Sequence, residues 1–282
     1  MSLNLLNRNI SRKLLLFLIF CFTLSPTFSG NNISVGTAKV NITPEKPVPM
    51  CGYEERQGNF QGIHDQLYSR FIVLADGKTK AAVISVEIYE IPFSFWDKVK
   101  KLVEEEAGIP SSNILLCSTN THSGPSLNTS YLEQLEDKIV DGIKKASENS
   151  CQARIGAAKS ICKMSINRRA RSAKGGLTMG RNPYKPVDWE VGVIRIDDLQ
   201  GRPLAIITNW GCHANALGAD NKMITGDWPG YTSYMLEDRF GEDCIAPVLI
   251  GASGDVNPFF QGYTFNEGIV RERDIITGHT LA

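Results

Sequence analysis

An Asp-Gly pair at positions 76–77 constrains this chain more than any other local feature. It sits between two β-rich runs, residues 68–74 and 81–89. Asp-Gly flanked by such runs favours the tight turn of a hairpin, so at least part of the sheet is antiparallel. A second pair of β-rich runs, residues 191–196 and 204–209, flanks a turn-rich stretch at 198–203 and reads the same way. Residues 35–40, 114–117, 153–158 and 246–251 read as further strands.

Helical spacing appears between these runs. Residues 93–107 place Phe95, Val99 and Val103 on one side, and Gly108 and Pro110 end the pattern. Residues 131–146 carry Leu132, Leu135, Ile139 and Ile143 on one stripe. Residues 228–240 are expected to be helical, with Pro229 in the first turn. Residues 168–185 shift to Arg, Gly, Lys and Pro and read as a long surface loop. Hairpins mixed with strand–helix alternation predict an α/β (mixed α+β) domain, with mixed β-sheets covered by helices.

The first residues do not join this pattern. Arg8, Arg12 and Lys13 precede an apolar run at 14–24, too short for a membrane span of about 20 residues. Small residues follow, so 1–29 reads as a cleaved secretory signal and 30–282 as the folded domain. The chain is then expected to be secreted or periplasmic. Loss of the leader leaves 27 basic residues against 30 acidic ones. A polyanion-binding protein would show a basic excess, which argues against nucleic acid as a partner. Six cysteines remain beyond the leader, with no CxxC spacing. Export permits disulfides, but small buried apolar residues are the simpler reading, since Cys117 and Cys212 adjoin strands.

Histidines are scarce: His64, His122, His213 and His279. Two follow predicted strands directly, His122 within Ser118-Thr119-Asn120-Thr121-His122-Ser123-Gly124-Pro125 and His213 within Trp210-Gly211-Cys212-His213-Ala214-Asn215. Ligand sites of α/β sheets gather at such strand ends. Imidazole there serves as a metal ligand or a general base. Asp227, just before the third helix, reads either as a cap or as a group orienting an imidazole. Gly254-Asp255-Val256-Asn257-Pro258 forms a turn after a strand and presents Asp255 and Asn257 at the sheet edge. Glycine turns alone also suggest phosphate binding, but Walker A and GxGxxG patterns are absent.

Taken in order, these segments resemble the N-terminal domain of the neutral/alkaline non-lysosomal ceramidases. The likeness is carried by residues 35–44 (VGTAKVNITP), Met50-Cys51-Gly52-Tyr53, Gly62-Ile63-His64-Asp65, residues 118–125, Ile166-Asn167-Arg168, Val187-Asp188-Trp189-Glu190, Cys212-His213, residues 225–230 and residues 254–258. The resemblance implies an exported hydrolase that cleaves a small-molecule or lipid N-acyl amide with a Zn2+-activated water, with peripheral membrane contact. It makes His213 a zinc ligand and Arg168 an arginine near the active site. Asp255 falls in the turn that carries the family's catalytic serine.

Two positions depart from the family pattern. Asn120 stands where the family has its first histidine, a zinc ligand, and His122 matches the second, beside the metal and the substrate. An amide oxygen is a poorer zinc ligand than imidazole, so three outcomes stand open: weak metal binding, a shift of the metal to His122, or its loss. Asn257 stands at the catalytic serine, where an amide could still donate to an oxyanion. The family's remaining ligands, a Glu and a Tyr, lie further along than residue 282, so the resemblance implies a C-terminally truncated domain. These departures leave a second reading open: a binding or scaffold protein on the same fold, without turnover.

Overall fold

The computed structural model describes residues 33–261, apart from residue 242. The expected leader and the segment after 261 lie outside the described residues. Thirteen strands and three helices are described: β1 (Ser34–Asn41), β2 (Gly62–Ile63), β3 (Tyr68–Ala75), β4 (Lys80–Val86), α1 (Phe93–Ala107), β5 (Ile114–Ser118), α2 (Thr129–Glu148), β6 (Cys151–Ile161), β7 (Ser165–Arg171), β8 (Leu177–Asn182), β9 (Glu190–Asp198), β10 (Pro203–Trp210), β11 (Met223–Ile224), α3 (Asp227–Phe240), β12 (Val248–Ile250) and β13 (Val256–Pro258).

The Asp-Gly signal is realised as the β3–β4 hairpin. Asp76 Oδ1 accepts from the Lys78 and Thr79 amides at 3.0 and 2.8 Å, which folds the chain back so that Leu74 faces Ala81. Helix α1 spans the expected residues and stops where Gly108 turns left-handed, its N–H donating to the Glu104 carbonyl. Helix α2 starts two residues earlier than expected because Asn128 caps it, accepting from the Tyr131 amide at 3.0 Å.

Eight strands form one mixed sheet in the order β12-β10-β9-β6-β1-β3-β4-β5. The β4/β5 and β10/β12 pairs are parallel, and the other neighbours are antiparallel. The two halves meet at β1 and β6 through only Ser34↔Gln152 and Val35↔Cys151. The sheet folds over at this short seam. The Ser85 hydroxyl of β4 donates to the Val248 carbonyl of β12 at 2.7 Å, and Val35, Ile72, Ile196, Ala205 and Ile207 pack between the halves. Helices α1 and α2 cover the outer face of the first half, with Val99, Val103, Leu135, Ile139 and Ile143 fully buried against Phe71 and Ile84. Gly36 lets α2 approach β1 this closely: a Cβ there would lie 1.7 Å from the Ala146 carbonyl oxygen. Helix α3 covers β10 and the segment before β12 through Leu236 against Ile206 and Ala246.

Residues 168–185 are not a loop. Strands β7 and β8 form a hairpin there, and β7 also pairs with β13 through Asn167↔Val256 and Ile166↔Asn257. Most side chains of β8 are exposed, so no hydrophobic alternation marks the strand in the sequence. The backbone ladder to β13, 89 or more residues away, makes the structure instead.

Of the cysteines among the described residues, Cys162, Cys212 and Cys244 are buried. The reading of them as small apolar residues therefore fits the packing.

Candidate active site

The carboxyl ends of β5 and β10, one from each half of the folded sheet, deliver the two histidines. After β5 the chain turns sharply at Asn120, whose φ is 58°. Its amide nitrogen donates to the Tyr89 carbonyl at 3.0 Å and holds this uncommon conformation, which Asn tolerates better than most residues. The Thr121 hydroxyl donates to the Thr225 carbonyl, and the His122 amide donates to the Ala214 carbonyl at 2.8 Å. After β10, the His213 amide donates to Val256 and Trp228 Nε1 donates to the His213 carbonyl at 3.0 Å. Bonds to the backbone of both loops thus fix the positions of the two histidines.

The rings face one another at 5.3 Å between centroids. Tyr89 and Tyr53 pack edge-on against His122 at 4.8 and 5.1 Å. His213 Nδ1 lies 2.7 Å from the Ser253 carbonyl, which can only accept, so Nδ1 carries the proton and Nε2 keeps its lone pair free. His122 is buried, and neither of its ring nitrogens makes a well-formed hydrogen bond with a described residue. Buried nitrogens without partners are costly, and a ligand that engages them removes the cost. Burial, and then the neighbouring His213, push His122 down to about 4, with only weak opposition from the Gly52 backbone. Burial also pushes His213 below its ordinary value. Both rings are neutral at pH 7, as a metal ligand or general base requires.

Asp227 opposes them in sign. It is buried, and its Oδ1 accepts from the Trp228 and Ala216 amides, while Oδ2 has no partner among the described residues. It therefore ties the first turn of α3, whose N-cap is Gly226, to the loop after His213, and it makes no bond to an imidazole among the described residues. Burial pushes its carboxyl up to about 6. Between pH 4 and 6.5 the unfolded chain binds more protons than folded His122, so this group makes stability rise with pH. Between about pH 4 and 6 the folded chain keeps a proton on Asp227 that the unfolded chain loses, so this group makes stability fall. Asp227→Asn retains the accepting oxygen and removes the second effect. Urea midpoints of that variant are expected to climb more steeply from pH 4 to 6.5 than those of the unaltered chain. Equal slopes would contradict the opposed pair.

Arg168 lies close enough for its charge to lower both imidazoles further. Its Nη1 donates to Asn257 Oδ1 at 3.3 Å and its Nε to the Gly254 carbonyl. The Asn257 oxygen also accepts from Asn215 Nδ2 at 3.4 Å, and the Asn257 amide nitrogen donates to Gln261. The donor that would have served an oxyanion is thus directed to Gln261, and Arg168 is the stronger donor at this edge. Asp255 has an exposed carboxylate that accepts from Asn167 Nδ2 at 2.9 Å, while its carbonyl accepts from the Arg168 amide. It holds the turn that orients Arg168. A cavity of about 260 Å³ borders Arg168, Asn257, Gln261, Met179 and Phe259.

The donor set fits part of a zinc centre. His213 Nε2 and the nitrogens of His122 are neutral and available, the first on a half-buried ring and the second on a buried one. Among the described residues no third His, Cys, Asp or Glu joins them. The Asn120 amide nitrogen is committed to Tyr89, leaving only its weakly donating oxygen.

Sequence reasoning missed Arg56. Its guanidinium donates to the carbonyls of Cys51, His122, Gly218 and Ala219 and clasps the loops on both sides of the site. It stands alone in an irregular segment, where no spacing announces it. Tyr53 was visible in the quoted 50–53 segment, but its packing on His122 was not. Gly52 adopts a φ of 102°, and a Cβ there would come within 2.8 Å of His122 Cα, Cβ and Cγ, so this segment shapes the wall behind the imidazole.

Fold and site define a mixed α/β domain with a two-histidine centre at the carboxyl ends of β5 and β10. The family described as neutral/alkaline non-lysosomal ceramidase, N-terminal, matches residues 33–267, and the chain belongs to that family. It is 28% identical over 267 residues to neutral ceramidase A of Dictyostelium discoideum, covering 84% of this chain and 37% of that protein. It is 27% identical over 223 residues to the neutral ceramidase of Pseudomonas aeruginosa, covering 72% and 33%. The crystal structure of neutral ceramidase from Pseudomonas aeruginosa superposes with a TM-score of 0.73 at 20% identity, over 86% of this chain and 43% of that one. The chain thus spans little more than a third of the length of the curated relatives it matches.

Proposed function

We propose that this chain contributes the two-histidine side of an exported, zinc-dependent hydrolase of the neutral ceramidase type, which cleaves an N-acyl amide of a small molecule or lipid. One observation carries the reading: two neutral imidazoles with uncommitted nitrogens, His122 buried and His213 half-buried, face each other beside an arginine. Membership of the ceramidase family supports the substrate class, and the leader-like residues 1–29 support export.

His213 is the first choice of metal ligand, because the Ser253 carbonyl fixes its tautomer and leaves Nε2 free. His122 is the second. Lewis acidity toward the scissile carbonyl and a water acidified to near neutrality are what zinc supplies at such a centre. Arg168 presents a fixed positive charge where an amide oxygen gains negative charge, and Asn257 and Gly254 hold it in place. The phenol of Tyr53, pushed up to about 12 by burial, stays protonated against His122.

The test pairs metal titration with hydrolysis of a fluorogenic N-acyl amide panel. His213→Ala is expected to weaken zinc binding at least about tenfold and to lower hydrolysis in parallel. Full activity in that variant would overturn the site assignment. The second reading, a binding protein without turnover, draws on Asn120 and Asn257, which replace a ligand and a hydroxyl. Stoichiometric zinc with no hydrolysis of any amide in the panel would favour it.

A further inference from the structure

The β7–β8 hairpin meets the site through the start of β7, where Ser165, Ile166 and Asn167 are buried, and through Arg168; most of the remainder is exposed. Residues 165–187 contain six cations (Arg168, Arg169, Arg171, Lys174, Arg181 and Lys185) and no acidic residue, in a chain with 30 basic and 30 acidic residues in all. None of the six forms an ion pair with a described residue. The register sets Arg169 opposite Met179 and Arg171 opposite Leu177, so cations and apolar side chains share one face. Leu177, Met179 and Tyr184 are 72%, 60% and 95% exposed. A concave surface of about 420 Å³ runs along Arg171, Leu177, Arg181, Tyr184 and Lys185.

We infer that this face of the β7–β8 hairpin docks on an anionic lipid surface. The uniform positive charge matches such a surface, and the attraction acts within a Debye length of it. The apolar side chains select lipid over other polyanions. Leu177 and Met179 gain from entering the acyl boundary, and Tyr184 is amphipathic in the way that suits a headgroup layer. Protection of β8, an edge strand, against pairing with other strands explains charge along it, but not three large apolar side chains held in water. The assignment concerns binding alone and stands whether or not the site hydrolyses an amide.

The test is sedimentation of the full chain with phosphatidylcholine vesicles, with and without phosphatidylserine. Two variants accompany it: Arg171→Gln/Lys174→Gln/Lys185→Gln, and Leu177→Ser/Tyr184→Ser. All five side chains are exposed, so the fold is retained, and urea midpoints check this. Binding is expected only with phosphatidylserine and is expected to weaken with salt. The charge variant is expected to lose about fivefold per cation, roughly a hundredfold in all. The apolar variant is expected to lose at least about fivefold at constant salt. Wild-type binding in both variants would place any membrane contact elsewhere and overturn the proposal. Equal affinity for duplex DNA, with the apolar variant unaffected, would make the face a general polyanion site and overturn it too.

Discussion

Arg70→Met is expected to destabilise the fold by about 3–5 kcal/mol, a large share of the stability of an ordinary domain. Arg70 is buried on β3 and donates to two carboxylates, with Nη1 on Glu87 Oε1 at 2.5 Å and Nε on Glu237 Oε1 at 2.6 Å. Glu87 also accepts from the Tyr68 amide, and Glu237 from Lys39 and the Ala246 amide. Two cations and two carboxylates balance in a region nearly closed to water. Burial alone pushes Glu87 above its ordinary range, with the Arg70 charge as the main opposing influence. Removing Arg70 leaves two buried carboxylates facing one another, which must take up a proton or draw in water. Met fills most of the arginine volume, so the loss reads the charge and not a cavity. The triple variant Arg70→Met/Glu87→Gln/Glu237→Gln is expected to recover part of the loss, because no uncompensated charge remains. Urea midpoints measure both. A loss below about 1 kcal/mol in the single variant would mean that the cluster is hydrated and weak.

That cluster also shows what the sequence conceals. Glu87 directly follows β4 and Glu237 lies inside α3, 150 residues on, so no local spacing relates either to Arg70. Periodicity did find most elements, because a helix such as α1 or α2 buries one stripe and a hairpin such as β3–β4 carries its turn residues with it. It failed at 168–185, where β7 is held to β13 by backbone bonds and β8 shows exposed side chains on both faces. The two histidines were legible because each directly follows a strand that ends at the same edge of the sheet. The roles of their neighbours were not. Asp227 sits in the first turn of α3 with one oxygen unpartnered among the described residues, and Asn257 directs its amide nitrogen to Gln261; only the fold reveals either. The packing gives Asn120 and Asp255 structural bonds that the family resemblance did not foresee.

Arg56→Ala is expected to cost about 3 kcal/mol and to disturb the site more than the fold, and the two effects can be separated. The guanidinium donates at 2.7 Å to the His122 carbonyl, at 3.0 Å to Cys51, and at 3.2 Å to both Gly218 and Ala219. Charge-assisted bonds of this kind contribute about 1.5–3 kcal/mol each in isolation, and four sharing one group add up to less than their sum. The same group stacks over Tyr53 at 4.8 Å, and Tyr53 packs on His122, so its removal loosens both the backbone and the ring wall behind the imidazole. Arg56 also contributes to the depressed pKa of His122 as a nearby cation. In Arg56→Ala that pKa is expected to rise from about 4 toward the ordinary histidine range, as water enters and the charge is lost. Arg56→Lys keeps the charge but lacks the fork that reaches several carbonyls at once. It is expected to lose most of the stability yet hold the His122 pKa closer to its starting value. NMR titration of the imidazole, read beside urea midpoints, distinguishes the two variants. A His122 titration unmoved in Arg56→Ala would reduce Arg56 to a loop tie with no part in tuning the imidazole. A zinc affinity that falls with the geometry, more in both variants than in Arg70→Met, would instead make it the positioning residue of the two-histidine centre.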